Sequence, residues 1–209
     1  MQLNNQDIKQ LEKVKRLNII NSITGVKPAN LIGTINNLGQ TNLAIISSVV
    51  HLSSDPPLIG FVMRPHGEVK RDTYLNILAN KSYTINHVHT KHIAQAHRSS
   101  AKFDTDVSEF EKCEFTPQYI KEFIAPFVAE SNIKIGMKFI DEIFIKQSRT
   151  TLIIGEIEHL ILPDEFLSKE GYIKLADAEV AGIGGLNSYY KLSHLADFSY
   201  ARPEDSPNF

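Results

Sequence analysis

The sequence predicts a mainly β protein with flanking helices, in which antiparallel strands close into a barrel. Three short strand-like segments come first, near residues 30–36, 42–50 and 58–63. The Asn-Asn-Leu-Gly-Gln sequence of residues 36–40 joins the first two and suits a tight hairpin. Two long strand-like segments, 132–146 and 150–162, follow across a three-residue turn. Antiparallel strands of this length usually curl into a barrel.

A helical segment is expected at about residues 5–20, before the first strand. Asn5 or Asp7 provides a capping side chain for its first turn. Apolar residues then recur every three positions from Ile8 to Leu17, which favours one apolar side of a helix.

The middle of the chain is expected to alternate between helix and strand. The apolar pattern predicts a helix within residues 67–78, a strand over 83–88 and a helix over 90–96. Residues 97–114 are polar and irregular. A short helix is predicted to begin at Thr116 and Pro117, because Thr suits an N-cap and Pro suits the first helical turn.

Length and composition indicate a single domain, 1–209, with a loose Pro-containing tail at 202–209. The chain has 22 Lys and Arg residues against 24 Asp and Glu residues, so its net charge of -2 gives no general attraction to nucleic acid or to an anionic membrane. The single cysteine, Cys113, excludes an internal disulfide and fits a reducing compartment. The N-terminus lacks a signal-peptide pattern and no apolar run is long enough for a membrane span, so we expect a cytoplasmic protein.

One stretch has the residue types of a ligand site. From Pro28 to Met63 the only charged residue is Asp55, and residues 41–57 combine apolar side chains with hydroxyls and amides. Such a segment can lie in a core and still form hydrogen bonds, so it suits the wall of a site for a flat, uncharged group. Cationic residues follow at Arg64 and Arg71, and Arg71 lies at a predicted helix start, where a phosphate group would be held.

Taken in order, these motifs resemble the flavin reductase-like family, whose members bind FMN on an antiparallel split β-barrel of Greek-key type. In the first half of the chain the motifs are Gly33-Thr34, Asn42-Leu43-Ala44, Ser47-Ser48, Asp55-Pro56-Pro57-Leu58, Arg64-Pro65, Arg71-Asp72-Thr73 and Asn76. In the second half they are Tyr83-Thr84-Ile85-Asn86, Ser100-Ala101-Lys102-Phe103, Ala129-Glu130-Ser131, Gly184-Gly185-Leu186 and Tyr189-Tyr190. The resemblance covers roughly residues 20–195 and rests on the order and spacing of all these motifs together.

The resemblance implies a homodimer with one noncovalent FMN per subunit near the subunit interface. It also implies NADH or NADPH as the hydride donor, and free flavin, a partner monooxygenase or another small acceptor as the destination of the electrons. The implied cofactor contacts are Thr34, Asn36, Asn42, Ser47, Ser48, Val49, Val50, Ser53, Arg64, Arg71, Asp72, Thr73 and Lys102. The serine- and valine-rich part would contact the ring and ribityl chain, partly through backbone atoms, and the Arg71 part would hold the phosphate. No protein nucleophile is expected, because the cofactor itself accepts the hydride.

Two other functions stay open at this point. The first is a flavin-binding protein without nicotinamide turnover, acting as an electron carrier or redox sensor. The second is a metal hydrolase, because His87, His89, His92 and His97 lie within eleven residues. No carboxylate or cysteine stands at a spacing that completes a known metal site, so no metal is expected. His97 is kept as a flavin or substrate contact.

Structural interpretations compete with several of these assignments. Ser47 and Ser48 could simply bond to neighbouring backbone in a strand. Arg64 and Arg71 could be ordinary surface residues. Residues 182–187 lack the third glycine of a dinucleotide-binding motif, so we interpret them as a turn.

Overall fold

A seven-stranded antiparallel sheet forms the centre of the molecule. The computed structural model describes residues 1–65, 71–104, 106–200 and 202–203. The strands of this sheet are β2 (Asn30–Ile35), β3 (Thr41–Ile46), β4 (Val50–Ser54), β5 (Pro57–Met63), β6 (Ser82–His87), β9 (Lys134–Ile145) and β10 (Thr150–Ile161). Their spatial order is β3-β2-β6-β9-β10-β5-β4. The predicted hairpin at residues 36–40 and the predicted long pair are both confirmed.

The sheet must curl into a barrel because its two edge strands are neighbours in sequence. Strands β3 and β4 stand at opposite edges, yet only residues 47–49 join them. Seven flat strands would separate these edges by about 29 Å, whereas four residue steps span at most about 14 Å. Curling brings the edges together, and residues 47–49, here called the seam, close the split barrel.

The barrel interior is filled by apolar side chains from five of its strands. The fully buried ones include Ile32, Phe61, Tyr83, Ile85, Met137 and Ile153. They alternate along each strand with residues of the opposite face. In β2 and β6 that opposite face is buried as well, because further elements pack against it. Buried surface of this kind is the main stabilising contribution to the fold.

The structure differs from the sequence prediction at the seam. Residues 42–50 were expected to form one strand, but β3 ends at Ile46 and β4 begins at Val50. The Ser48 hydroxyl is hydrogen-bonded to both main-chain groups of Val62 in β5: Oγ accepts from Val62 N at 3.0 Å and donates to Val62 O at 3.1 Å. A side chain therefore makes the contact that a continuing strand would make with its backbone, and the chain can turn from one sheet edge to the other.

The expected helix at about residues 5–20 is two helices, α1 (Asn5–Gln10) and α2 (Lys13–Ser22). Each has its own N-cap. Asn4 accepts hydrogen bonds from two amides of α1, and Glu12 accepts them from Val14 N and Lys15 N of α2. Since Glu12 begins a new helix, the first one ends before it.

The short helix predicted at Thr116 is also wrong: residues there form β7 (Pro117–Ile120), which pairs with β8 (Phe123–Val128). The main-chain N–H of Thr116 donates a hydrogen bond to the carboxylate of Glu130, a residue 14 positions further along the chain. The polar segment before it contains a further short helix, α5 (Glu109–Lys112), whose Phe110 is buried.

The remaining elements cover the outside of the barrel. They are α3 (Asp72–Asn80), a 3₁₀ turn at Thr90–His92, α4 (Ile93–Arg98), a 3₁₀ turn at Asp164–Phe166, and the small sheet of β1 (Lys27–Pro28), β11 (Ala181–Gly184) and β12 (Ser188–Lys191). The residues interpreted as a turn thus begin inside β11, and only 185–187 form the turn to β12. Part of the predicted helix at 67–78 and most of the predicted tail lie outside the described residues.

Candidate functional site

The seam carries main-chain groups without protein partners. Among the hydrogen bonds of the described residues, none uses the backbone N–H or C=O of residues 47–49. These residues are nevertheless half-buried. Buried or half-buried backbone groups are almost always paired with protein, water or a ligand. The seam therefore presents a short row of donors and acceptors on an uncharged, mostly apolar segment.

Ser48 holds the seam in place. Its Oγ donates to Val62 O and accepts from Val62 N. Its hydroxyl is therefore used structurally, which agrees with the interpretation of this serine as a backbone partner. Ser47, in contrast, has no hydrogen bond from its hydroxyl to any described residue.

The N-terminus of α3 is a second group of unpaired donors. Its N-cap residue, Arg71, makes no side-chain capping hydrogen bond. The first intrahelical donors are Tyr74 N and Leu75 N, so the amides of Asp72 and Thr73 have no partner in the described part of the chain. An uncapped helix start with free amides and an exposed Arg beside it is suited to an anion.

Buried hydrogen bonds join α3 to the edge of the sheet. Asn42 Nδ2 donates to Thr34 Oγ1 at 3.2 Å and to Thr73 Oγ1 at 2.9 Å. Asn76 Nδ2 also donates to Thr34 Oγ1, at 3.1 Å. All four residues are buried, so Thr34 and Asn42 fix the position of the α3 N-terminus through their side chains.

A small polar cavity of about 30 Å³ adjoins this network, enough for about one water molecule. Its walls are Asn36, Gln40, Thr41, Asn42, Asp72, Asn76 and Val107. Glu109 lies near it and accepts a hydrogen bond from Leu43 N at 3.1 Å. Burial raises the pKa of Glu109, with a smaller contribution from the charge of Asp72.

The other predicted site residues belong neither to the seam nor to the first residues of α3. The Asn36 side chain accepts from Leu38 N and Gln40 N, so it stabilises the hairpin turn. Val50 and Ser53 belong to the edge strand β4. Arg64 and Lys102 are exposed.

Strand β3 links the seam to the start of α3. Asn42, near the first residue of β3, bonds to Thr73, and the seam follows the last residue. Five residues of an extended strand span about 17 Å. An elongated ligand lying along this edge strand would reach the seam with one end and the α3 N-terminus with the other.

The histidines do not form a metal centre. In the described residues, no group of three His, Cys, Asp or Glu side chains is arranged to hold a metal ion. His89 Nε2 pairs with Glu179 at 3.2 Å, and His92 Nδ1 bonds to Gln95. Burial lowers the pKa of His87 to about 4. His97 Nδ1 is hydrogen-bonded to Tyr189 Oη at 3.1 Å.

Sequence reasoning missed three parts of this site. The unpaired backbone of 47–49 has no signal in the sequence, because its residue types continue the apolar strand pattern. Asn76 was part of a motif but had no role assigned. Glu109 lay in a segment expected to be irregular, so nothing pointed to its contact with β3.

Comparison with known proteins gives three consistent findings. The model of the flavin reductase like domain matches residues 26–176. A crystal structure described as a flavin reductase with split barrel domain, from Shewanella frigidimarina NCIMB 400, is 41% identical, with a TM-score of 0.92 over 96% of this chain and 100% of that chain. Nitrilotriacetate monooxygenase component B from Bacillus cereus is 18% identical, with a TM-score of 0.83 over 95% and 98% of the two chains, and shows the shared fold.

A protein of Aquifex aeolicus (strain VF5) is 26% identical over 113 residues. This alignment covers 54% of the present chain and 58% of that protein. In the described residues, no helix is both long and apolar enough to cross a membrane.

Proposed function

The chain belongs to the flavin reductase-like family, and we propose that it is a cytoplasmic, FMN-binding oxidoreductase that takes hydride from NADH or NADPH. The electrons then pass to free flavin, a partner monooxygenase or another small acceptor. The observation that carries the FMN assignment is the unpaired, half-buried backbone of the seam. When bound, FMN supplies the hydride acceptor, and the protein supplies position and environment.

The seam fits a flat ring with polar edges. Residues 47–49 offer main-chain donors and acceptors but no charge, and Val49 packs at the end of the barrel core. Ser47 adds a hydroxyl with no partner among the described residues. We assign Ser47 to Val50 to the ring and ribityl contacts, and Ser53 to the neighbouring edge strand.

The start of α3 fits the phosphate. The amides of Asp72 and Thr73 bond to no described residue, and Arg71 supplies a positive charge beside them. Thr34 and Asn42 support this helix start through buried hydrogen bonds. Their proposed role in FMN binding is therefore to position the phosphate site rather than to contact the ring.

A homodimer is supported by an apolar face on the outside of the barrel. Four adjacent strands, β9, β10, β5 and β4, contribute Ile143, Ile145, Leu152, Ile154, Val62, Val50 and Leu52 to one face. The opposite face of these strands holds the buried Phe61 and Ile153. We call the first face the outer apolar face, and a second copy of the chain is the proposed cover for it.

The outer apolar face is continuous with the proposed ring site. Val50 belongs to the face and follows directly on the seam. At Gly60 an added Cβ would lie 3.1 Å from both Leu52 Cδ1 and Leu152 Cδ1, so the glycine lets these two side chains pack closely. A partner copy on this face would lie beside the seam and limit access of water to it.

The test is an anaerobic absorbance scan of purified protein reconstituted with FMN, before and after NADH and then NADPH are added. We expect the flavin band near about 450 nm to bleach with one or both donors. Bound flavin that bleaches only with dithionite would instead identify an electron carrier or redox sensor. Protein that binds no FMN would contradict the proposal.

A further inference from the structure

A hydrogen-bonded pair, His97 and Tyr189, lies outside the seam and the start of α3. His97 Nδ1 lies 3.1 Å from Tyr189 Oη, and the two rings meet edge to face with their centroids 5.8 Å apart. The residues are 92 positions apart in the chain. The pair therefore joins the end of α4 to β12 through polar side chains that remain partly accessible.

Tyr189 of the pair and the end of β3 pack against the same hydrophobic cluster. Tyr189 packs against the hydrophobic cluster that also receives Ile45 and Phe103. Ile45 stands two residues before the seam, and Phe103 belongs to the loop that follows α4. Tyr189 is thus anchored on the same cluster as the strand that leads into the proposed ring site.

When the Tyr189 hydroxyl donates to His97 Nδ1, the other ring nitrogen of His97 becomes a hydrogen-bond donor. Burial raises the pKa of Tyr189, so its phenol stays protonated at neutral pH. A phenol O–H that donates to Nδ1 leaves the proton of a neutral imidazole on Nε2. His97 is exposed, so this second nitrogen is available to a ligand oxygen.

Two cationic residues, Arg98 and Lys102, follow His97 in a segment whose turn is held by hydrogen bonds. Ser100 Oγ donates to His97 O at 2.7 Å, and Ala101 N donates to Arg98 O at 3.0 Å. Arg98 and Lys102 are exposed, and neither has a carboxylate within 4.0 Å among the described residues. We call His97, Arg98, Lys102 and Tyr189 together the His97 surface.

We propose that the His97 surface binds the pyrophosphate of the nicotinamide dinucleotide, with Tyr189 as a positioning residue for His97. This inference rests on the proposed function. A pyrophosphate carries two adjacent anionic groups, which match an N–H donor and two cations that have no salt bridge to a described residue. The α3 N-terminus already offers a site for the FMN phosphate, so Lys102 is assigned here to a second anionic ligand.

The test compares Tyr189→Phe with Tyr190→Phe in the FMN-loaded protein. The first change removes only the hydroxyl that holds His97. Tyr190 is the matched control, because it is the next residue of β12 and its ring packs on Gly184, a contact that Phe keeps. For each variant, and for His97→Gln, we would measure the Kd for FMN and the kcat and KM for NADH and NADPH.

We expect Tyr189→Phe and His97→Gln to raise the dinucleotide KM about threefold or more, the scale of one hydrogen bond. The Kd for FMN and the kcat should stay at wild-type values, and Tyr190→Phe should change nothing. An unchanged KM in both variants would overturn the inference. A weaker Kd for FMN at unchanged KM would also overturn it, since it would assign the surface to the flavin phosphate. If neither donor reduces the flavin of the wild type, the proposed function itself fails, which separates the two outcomes.

Discussion

The hydroxyl group of Ser48 contacts both main-chain groups of Val62: Oγ lies 3.0 Å from Val62 N and 3.1 Å from Val62 O. One side chain thereby fixes the seam to β5, while the backbone of residues 47–49 forms no hydrogen bond with any described residue. The seam is positioned by a contact that leaves its own donors and acceptors available.

Replacing Ser48 by Ala should lower the free energy of unfolding by about 1–2 kcal/mol, because both Val62 groups lose their partner. Urea unfolding of the FMN-free protein would measure this loss. Ser47→Ala is the control, since its hydroxyl bonds to no described residue, and it should change stability by less than about 0.5 kcal/mol. Equal effects of the two changes would contradict the structural role of Ser48.

Replacing Arg71 by Ala should weaken FMN binding about tenfold or more without changing stability. Arg71 is exposed and its guanidinium bonds to no described residue, so the fold does not depend on it. A charge-assisted bond to phosphate contributes about 1.5–3 kcal/mol. Fluorescence titration would give the Kd, with the exposed Lys146→Ala as the control. Wild-type affinity for FMN in the Arg71 variant would contradict the assignment of the FMN phosphate to the start of α3.

Thr73→Ala should weaken FMN binding and also reduce stability, because Thr73 Oγ1 accepts a buried hydrogen bond from Asn42. The change removes one acceptor of the buried Asn42 side-chain amide, which should lower the free energy of unfolding by about 1–3 kcal/mol. Comparing the unfolding free energy with the Kd for FMN would separate the two effects. A Thr73→Ser variant, which keeps the hydroxyl, should restore most of both.

Placing a charge on the outer apolar face should dissociate the proposed homodimer. Ile143 is 51% exposed and lies on that face, whereas Ile124 is 53% exposed and lies on β8. Light scattering after size-exclusion chromatography should therefore give a monomer mass for Ile143→Lys and a dimer mass for Ile124→Lys. A monomeric wild type, or two variants that behave alike, would show that this face is not the subunit interface.

His87 should make the protein less stable in acid. Burial lowers its pKa to about 4, against about 6.5 in an unfolded chain, so the unfolded state binds the proton first as the pH falls. Stability is lost between about pH 6.5 and pH 4, by about 2 kcal/mol at pH 5 relative to pH 7. The variant His87→Gln should lose this part of the pH dependence in urea unfolding. The exposed His51→Gln should keep it, and equal slopes for His87→Gln and the wild type would fail the prediction.

The sequence predicts elements well where the periodicity of one segment determines them. Strands β9 and β10 follow from alternation over long segments, and the hairpin before β3 follows from its turn residues. The seam could not be predicted, because its residues continue the apolar pattern and the break depends on Ser48 meeting Val62, fourteen residues away. Thr116 and Pro117 have the local pattern of a helix start, but pairing with β8 and the Glu130 carboxylate decide the outcome.

The candidate site likewise contains parts that local sequence features predict and parts that depend on contacts between distant residues. The start of α3 was predictable, because the charged residues Arg71 and Asp72 that mark it are local features of the sequence. The contact of Asn42 with Thr73 joins residues 31 positions apart, and the contact of His97 with Tyr189 joins residues 92 apart. Neither pairing is indicated by the residue pattern around either partner.

Because the seam closes the barrel, a ligand that binds to it should make local opening of the barrel less favourable. Residues 47–49 connect the two sheet edges directly, and their backbone makes no ladder hydrogen bond with a described residue. We therefore expect their amides to exchange with solvent earlier than those of β3 and β4. A ligand that occupies those amides would slow their exchange and raise the melting temperature in proportion to the logarithm of its concentration. Bound cofactor would then supply hydrogen bonds of the kind that a neighbouring strand supplies elsewhere in the barrel. Without the cofactor, the folded protein would open first at residues 47–49.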